Sequence, residues 1–142
     1  MINEFRGPFR FLSNFYPVQI EVEGLSYPSV EHAYQASKCN NSEDKQRILA
    51  CVSAGDAKRI GRTVTLKPGF EEEKLAVMEN LLRIKFKNEP LKTMLLSTGS
   101  EELAEGNSWK NTYWGVYRGV GANHLGRLLM KIRAAATGLN TN

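Results

Sequence analysis

The sequence has few of the residues that build metal sites, disulfide frameworks or membrane spans. Its 142 residues include two cysteines and two histidines, without HExxH or CxxC-type spacing, which argues against a structural zinc site. The cysteines are expected as reduced thiols. No apolar run approaches the roughly 18 residues of a membrane span, and the first fifteen residues lack the apolar core of a signal peptide. We therefore expect a cytoplasmic protein without a metal or cofactor.

Long runs of one charge are also missing. The net charge is +4, with 19 basic and 15 acidic residues, but no five or six basic residues follow one another. The excess favours an anionic partner such as a nucleotide or nucleic acid, and a mildly basic solvated surface is equally open. Because we find no repeat and no linker, we predict one domain over residues 1–142.

Hydrophobic periodicity predicts a mostly helical chain with a small antiparallel β element. Residues 18–24 alternate apolar and polar side chains, as a half-buried strand does, and LSYPSV can pair with them as a second strand. A further strand is predicted near residues 102–105. Helices are predicted for 29 to about 39 with Ser29 as N-cap, for 42 to about 52 with Ser42 as cap, for SAGDAKRIGR, for 70–88, for LKTMLLSTG and for about 122–136.

Two of these helices have a clear core face. In the helix over 70–88, Leu75, Met78, Leu81 and Leu82 recur at three- and four-residue spacing, while Lys85 and Lys87 suit its negative C-terminal end. In the last helix the core face is predicted to hold Leu125, Leu128, Leu129 and Ile132, with Arg127, Lys131 and Arg133 mainly away from it. The elements together predict a mostly helical α+β fold.

The first helix carries an unusual set of polar groups within YPSVEHAYQASK. Glu31, Gln35 and Lys38 follow one another at i, i+4 and i+7, so they share one face. That face is either solvent-exposed with mild charge pairing or the wall of a small-molecule pocket. The aromatic residues of FLSNFYP pose a similar choice, since they either fill the core or form a stacking platform for a base.

A glycine-rich loop, NSWKNTYWGVYRGVGANHLG, precedes the last helix. Its glycines do not have GxGxxG spacing, so the motif is weak. Glycines just before a helix that starts near Ala122 would leave backbone N–H groups open to an anion, with Arg118 beside them. A phosphate or pyrophosphate contact is the resulting hypothesis.

These stretches occur in one order with further motifs, GR at 61–62, LLSTG at 95–99, LAEGNSW at 103–109 and YWG at 113–115. In this order they resemble the NADAR (YbiA-like) family, and the resemblance extends from about Phe11 to Arg133. It implies a compact, mostly helical α+β domain with a cleft. It also implies an N-glycosidase that cleaves an N-ribosyl bond. The substrate is either ADP-ribose on a guanine base of nucleic acid, which the basic excess favours, or a phosphorylated riboflavin-pathway intermediate.

The resemblance also implies site residues. Glu31 matches the glutamate of the EHAYQ-type motif and is a catalytic candidate. Asn111 stands where many members have aspartate, so it either positions water or ribose beside a lone Glu31 or is a substitution that stalls turnover. Phe70 stands where the family often has tryptophan. The substrate-binding candidates are Asn14, Phe15, Tyr16, His32, Gln35, Lys38, Arg62, Phe70, Trp109, Trp114, Gly115, Arg118 and Asn123.

Two other classes of protein stay open at this stage. A non-catalytic ADP-ribose or nucleotide-binding module would keep the aromatic platform and the glycine loop without productive carboxylates, and Asn111 favours it. A structural or interaction protein would have no pocket. For Lys38 and Arg62, contact with a phosphate or carboxylate and simple surface solvation are equally open.

Overall fold

The computed structural model describes residues 1–138 of the chain. Within them it contains six α-helices, one 3₁₀ helix and one two-stranded antiparallel sheet. The predicted α+β class, mostly helical with a small antiparallel element, is confirmed. No helix within residues 1–138 is long and apolar enough to cross a membrane.

The chain divides into two compact units, and each is described by itself. Unit 1 comprises Met1–Ser13 and the chain from Phe86 onward, and unit 2 comprises Asn14–Lys85. A single domain over residues 1–142 stays a prediction, and its last four residues lie outside the described part.

Unit 2 begins with a β-hairpin. Strand β1 (Ile20–Val22) pairs antiparallel with β2 (Leu25–Tyr27), with Ile20 opposite Tyr27. The two-residue turn at Glu23 and Gly24 has positive φ at both positions, 50° and 81°, as a type I′ turn requires. Both predicted strands are confirmed, with shorter bounds than the alternation suggested.

Helix α1 (Val30–Ser37) follows the hairpin. Its N-cap is Ser29 as predicted, whose hydroxyl oxygen accepts the His32 backbone N–H at 3.1 Å. Seven of its eight residues are buried, so polar and apolar faces alike are covered. This explains why no apolar stripe accounts for the segment, because a helix enclosed by protein needs no exposed face.

Helices α2 (Ser42–Leu49) and α3 (Ala54–Gly61) both pack against α1. The predicted cap of α2 at Ser42 is wrong by one residue. The side-chain oxygen of Asn41 accepts the Asp44 N–H at 2.8 Å and so provides the cap, which leaves Ser42 as the first helical residue.

Helix α4 (Phe70–Phe86) closes unit 2. Met78, Leu81 and Leu82 are buried as predicted, whereas Leu75 is 38% exposed and does not belong to the core. The reason is that the first two turns of α4 after Phe70, residues 71–76, are exposed or half-buried. After Phe70, the buried stripe of this helix therefore begins at Met78.

Unit 1 contains a 3₁₀ helix (Gly7–Leu12) that the sequence analysis did not predict, together with α5 (Leu91–Leu96) and α6 (His124–Ala136). The buried face of α6 carries Leu125, Leu128, Leu129 and Ile132, as predicted. Arg133 was expected away from this face and is instead buried. Its guanidinium donates to the Thr98 hydroxyl and the Glu101 carbonyl, both at 2.8 Å, which compensates the cost of burying the charge.

The predicted strand near residues 102–105 is wrong. Leu103 makes only an isolated parallel bridge with Ile2. Its neighbours complete that bridge, since the Ile2 N–H donates to the Glu102 carbonyl and the Ala104 N–H donates to the Ile2 carbonyl, both at 2.9 Å. The segment therefore pairs with the N-terminal residues, but over too short a length to form a strand.

Candidate active site

Glu31 is a buried carboxylate on the first turn of α1, 8% exposed. Its backbone N–H donates to the Asn14 carbonyl at 3.0 Å, and its Oε2 accepts a hydrogen bond of 2.6 Å from Nε2 of Gln35, one turn further along the helix. Burial raises the pKa of Glu31, while the Gln35 hydrogen bond and the charges of Lys58 and Lys38 act in the opposite direction. Such a carboxylate is suited to proton transfer or to stabilising a cation.

Gln35 positions the Glu31 carboxylate and is itself held against α3. A methyl group on Gly61 would overlap the Gln35 side-chain amide, so only glycine at this position leaves room for it. Within the described residues, Oε1 of Gln35 and Oδ1 of Asn14 are buried without a hydrogen-bond partner. Both residues also hydrogen-bond Glu31. Because buried acceptors normally have a hydrogen-bond partner, these two oxygens are candidates for contact with a ligand.

His32 is 1% exposed and is engaged by protein through both ring nitrogens. Its Nε2 lies 2.9 Å from the Cys51 carbonyl oxygen and its Nδ1 lies 2.7 Å from the Ser29 hydroxyl. Because a carbonyl only accepts, Nε2 carries the proton in this arrangement. His32 fixes the start of α1, next to Glu31, and its direct contact with substrate stays a prediction.

Lys38 and Arg62 are brought near each other. Lys38 is the half-buried C-cap of α1, and Arg62 is the exposed C-cap of α3. Burial lowers the pKa of Lys38, the Glu31 charge raises it and the Arg62 charge lowers it. Glu31 and Lys38 are therefore electrostatically coupled, with a second cation close to Lys38.

The aromatic candidates of unit 2 differ in exposure. Phe15 is 43% exposed, with Nζ of Lys58 5.9 Å from its ring centroid. Phe70 is only 4% exposed, and its ring packs against Tyr34 at 5.7 Å between centroids. Phe15 presents an accessible ring face, whereas Phe70 supports the core behind α1.

Lys85 is a buried cation that the sequence analysis missed. It lies on α4 with 0% exposure, and its Nζ is 5.6 Å from the centroid of the Tyr16 ring. Burial lowers its pKa from 10.5 to about 7. Its spacing from Met78, Leu81 and Leu82 places it in the apolar stripe of α4, a signal that could have identified it.

The segment 14–16 connects these groups, because Asn14 bonds Glu31 through its backbone and Tyr16 faces Lys85. The groove of about 600 Å³ that lies within unit 2 is on another side of α1. It is lined by Ala33, Ala36 and Ser37 together with the hairpin and α4, and by none of the predicted site residues.

In unit 1, Asn111 organises the loop before α6. Its Oδ1 accepts the backbone N–H groups of Tyr113 at 3.1 Å and Trp114 at 2.9 Å. Asn107 braces the same turn, accepting the Asn111 N–H at 3.0 Å and donating to the Asn111 carbonyl at 2.9 Å. An aspartate would accept the same two hydrogen bonds, so the turn itself does not require an amide.

The predicted anion site at the start of α6 is not supported. Four consecutive backbone N–H groups, those of residues 122–125, donate to the carbonyls of Thr112, Gly115, Tyr113 and Trp114 in turn, at 2.8 to 3.3 Å. The loop thus occupies the amides that an anion would need. Asn123, at a φ of 54°, also bonds the Glu105 N–H and the Leu103 carbonyl. These contacts hold the loop together, and direct contact of Asn123 with substrate stays a prediction.

The remaining candidates of unit 1 surround this loop. Trp114 packs edge-on against Tyr113 at 4.8 Å between ring centroids, and Tyr113 lies 4.5 Å from the His124 ring. Gly115 is buried where a methyl group would overlap the Glu105 carbonyl. Trp109 is 49% exposed, and Arg118 is exposed at a turn.

The predicted site residues thus fall into two groups. Unit 2 contains Asn14, Phe15, Tyr16, Glu31, His32, Gln35, Lys38, Arg62 and Phe70, and unit 1 contains Trp109, Asn111, Trp114, Gly115, Arg118 and Asn123. Among the described residues, no three histidine, cysteine, aspartate or glutamate side chains come together as a metal site. The candidate centre of unit 2 is the buried Glu31 carboxylate, which is held by the Gln35 amide and lies within the electrostatic influence of Lys58 and Lys38.

Comparison with known proteins shows the family. The sequence model of the NADAR domain matches residues 3–136. The chain is 36% identical over 125 residues to N-glycosidase YbiA of Escherichia coli (strain K12), covering 85% of this chain and 78% of that protein. It is 34% identical to an N-glycosidase of Nostoc punctiforme, covering 89% and 85%. The chain therefore belongs to the NADAR domain family, whose relatives include proteins named as N-glycosidases.

A solved structure and a longer relative extend the comparison. The NMR structure of Escherichia coli YbiA matches with a TM-score of 0.83 and 32% identity, over 99% of this chain and 90% of that one, which confirms the predicted family fold. A riboflavin biosynthesis protein of Vibrio vulnificus (strain YJ016) is 39% identical over 127 residues, 87% of this chain. The chain spans only about a third of that protein and about a quarter of a related chloroplast protein of maize.

Proposed function

We propose that the protein is a hydrolase that cleaves an N-ribosyl bond and removes ADP-ribose from a guanine base of nucleic acid. The observation that carries this proposal is the buried Glu31 carboxylate, held at 2.6 Å by Gln35, in a chain of the NADAR domain family. Its named N-glycosidase relatives support the reaction class.

The chemistry requires negative charge near the ribose. Breaking the C1′–N bond leaves oxocarbenium character on the sugar, which a carboxylate stabilises while water attacks C1′. Glu31 performs this task in its ionised form, either by facing the cation or by accepting a proton from the attacking water. The Gln35 N–H holds Oε2 of Glu31. Because this hydrogen bond fixes the rotamer of the Glu31 side chain, it also fixes the direction of Oε1.

Asn111 cannot ionise, so it cannot be the second titratable group of the site. Lys85 can be that group. A lysine whose pKa is about 7 exists in both protonation states near neutral pH, as a proton donor for the leaving base should. The contacts of segment 14–16 with both Glu31 and Lys85 support a shared role. The buried acceptors of Gln35 and Asn14 are suited to hydrogen bonds from ribose hydroxyls.

The second candidate substrate is a phosphorylated riboflavin-pathway intermediate. The observation in its favour is that the Vibrio and maize relatives are named as riboflavin biosynthesis proteins. Lys58 and Lys38 act on Glu31, and Arg62 acts on Lys38. These three cations suit the phosphate of either substrate. We favour the nucleic acid because of the net charge of +4.

The proposal is tested by replacing the carboxylate with its amide. Glu31→Gln should lower the rate of ADP-ribose release from a guanine-ADP-ribosylated oligonucleotide by about 10²–10⁴-fold, the usual contribution of such a group. The matched control is Glu43→Gln on α2, an exposed carboxylate, which should leave the rate unchanged. Tight ADP-ribose binding by the wild-type protein without turnover would instead identify a non-catalytic binding module.

A further inference from the structure

Unit 1 carries a polar groove that the reaction chemistry described above does not involve. Its volume is about 700 Å³. Its charged residues are two arginines, one glutamate and Met1, whose terminal ammonium group is paired with Glu101. The rest of the lining is backbone with small polar and apolar side chains. Its principal lining residues are Glu4, Arg6, Gly106, Asn107, Ser108 and Arg118.

The net positive charge of the protein lies in the same unit. Unit 2 contains ten basic and ten acidic residues, whereas unit 1 contains nine basic and five acidic ones. The net charge of +4 therefore belongs entirely to the unit that carries the groove. A one-sided excess of this kind attracts a polyanion and raises its association rate.

Arg118 is held on the groove in a backbone conformation that arginine disfavours. Tyr117 and Val120 exchange backbone hydrogen bonds of 2.8 and 3.0 Å, and the two residues between them have φ of 52° and 78°. Asparagine or glycine is preferred at the first of these positions. The Arg118 guanidinium lies 5.2 Å from the centroid of the Tyr117 ring, which further restricts its position.

An exposed indole lies next to the groove in the chain. Trp109 directly follows the lining residue Ser108 and is 49% exposed. Cations along a groove combined with accessible aromatic rings are the elements that bind single-stranded nucleic acid, because phosphates pair with the cations and bases stack on the rings. An acidic peptide would use the cations but would gain nothing from the indole.

We propose that this groove binds the phosphate backbone of a single-stranded nucleic acid through Arg6 and Arg118, with a base stacked on Trp109. The inference rests on the proposed function, since the bound strand is the one that carries the modified guanine. It adds to that function a contact surface for the unmodified part of the substrate.

The test measures binding of a short fluorescein-labelled single strand without ADP-ribose, as DNA and as RNA, at several salt concentrations. Each phosphate contact contributes about 0.7 to the slope of log affinity against log salt for single strands. Arg118→Asn and Arg6→Gln should each reduce the steepness of that slope by about 0.7. When salt is raised from about 50 mM to about 200 mM, the fold-decrease in affinity of each variant should therefore be about threefold smaller than that of the wild type.

The hairpin of unit 2 offers a matched control. Glu23 has the same position and a similar φ, 50°, in its own two-residue turn. Glu23→Asn makes the same change of turn residue without removing a cation, so it should leave binding unchanged. The inference would be overturned if both arginine variants kept the salt slope of the wild type. It would also be overturned if polyglutamate displaced the labelled strand as well as an unlabelled strand does.

The outcomes separate this inference from the proposed function. Hydrolysis of an ADP-ribosylated guanosine nucleoside without arginine-dependent binding of the strand would refute the groove and leave the reaction standing. Arginine-dependent binding of the strand without hydrolysis of nucleoside or oligonucleotide would refute the reaction and leave the groove.

Discussion

Replacing Lys85 by methionine should change how stability depends on pH. In the unfolded chain the lysine titrates at 10.5, and burial lowers its pKa to about 7 in the native state. Between these pH values Lys85 binds more protons in the unfolded state than in the native state. The free energy of unfolding of the wild-type protein therefore rises with pH across this range. Each pKa unit is about 1.4 kcal/mol, so burial of Lys85 costs on the order of 5 kcal/mol below pH 7.

Methionine has a similar length and carries no charge, so Lys85→Met removes this cost. The free energy of unfolding of the variant minus that of the wild type should be greatest below pH 7 and should decline by about 1.4 kcal/mol per pH unit above it. A change in packing would shift this difference by the same amount at every pH, so it would not alter the slope of the difference against pH. Urea unfolding from pH 6 to 10 measures the difference, with the exposed Lys87→Met as control. A difference that does not vary with pH would refute a buried lysine whose pKa is lowered.

Three further predictions concern the site. Gly61→Ala should displace the amide that clamps the catalytic carboxylate, lowering kcat and costing about 1–3 kcal/mol of stability. Lys38→Met should move the acid limb of the pH–rate profile upward, because the carboxylate must be ionised to act and loses a charge that favours its ionised form. Asn111→Ala should cost about 1–2 kcal/mol because it removes the side-chain oxygen that accepts two backbone N–H groups, whereas Asn111→Asp should retain stability, as measured by thermal unfolding.

Each of these predictions has a matched comparison. Gly55 lies on the same helix as Gly61, and a methyl group there meets only ordinary contacts, 3.9 Å from the nearest atom, so Gly55→Ala should leave kcat unchanged. Lys92→Met removes an exposed lysine of unit 1 and should not move the acid limb. Equal effects of both members of either pair, or equal stability of the two Asn111 variants, would contradict these assignments.

Secondary structure was predictable where local chemistry decides it. The Ser29 cap and the apolar stripe of α6 depend on neighbouring residues and their spacing, and both are present. Asn41 displaced Ser42 as a cap, since either side chain can accept the same kind of N–H and the sequence does not rank them. The bridge between Ile2 and Leu103 joins distant parts of the chain, which periodicity does not reveal.

The site was predictable in its residues more than in their contacts. A shared face of α1 was expected for Glu31 and Gln35, and their hydrogen bond follows from that spacing. The burial of Lys85 and Arg133 could not be derived from charge patterns, because both residues also suit the C-terminal end of a helix. The amides at the start of α6 looked open in sequence, and only the folded loop shows carbonyls bonded to them.

A comparison of substrates tests whether the protein acts as an N-glycosidase on an ADP-ribosylated guanine. The wild-type protein is incubated with a guanine-ADP-ribosylated single-stranded oligonucleotide and, separately, with a phosphorylated riboflavin-pathway intermediate, and the products are followed by mass spectrometry. We expect faster release of ADP-ribose from the oligonucleotide, with unmodified guanine restored, and loss of that release in Glu31→Gln. Hydrolysis of the riboflavin-pathway intermediate alone, or release that persists in Glu31→Gln, would contradict it.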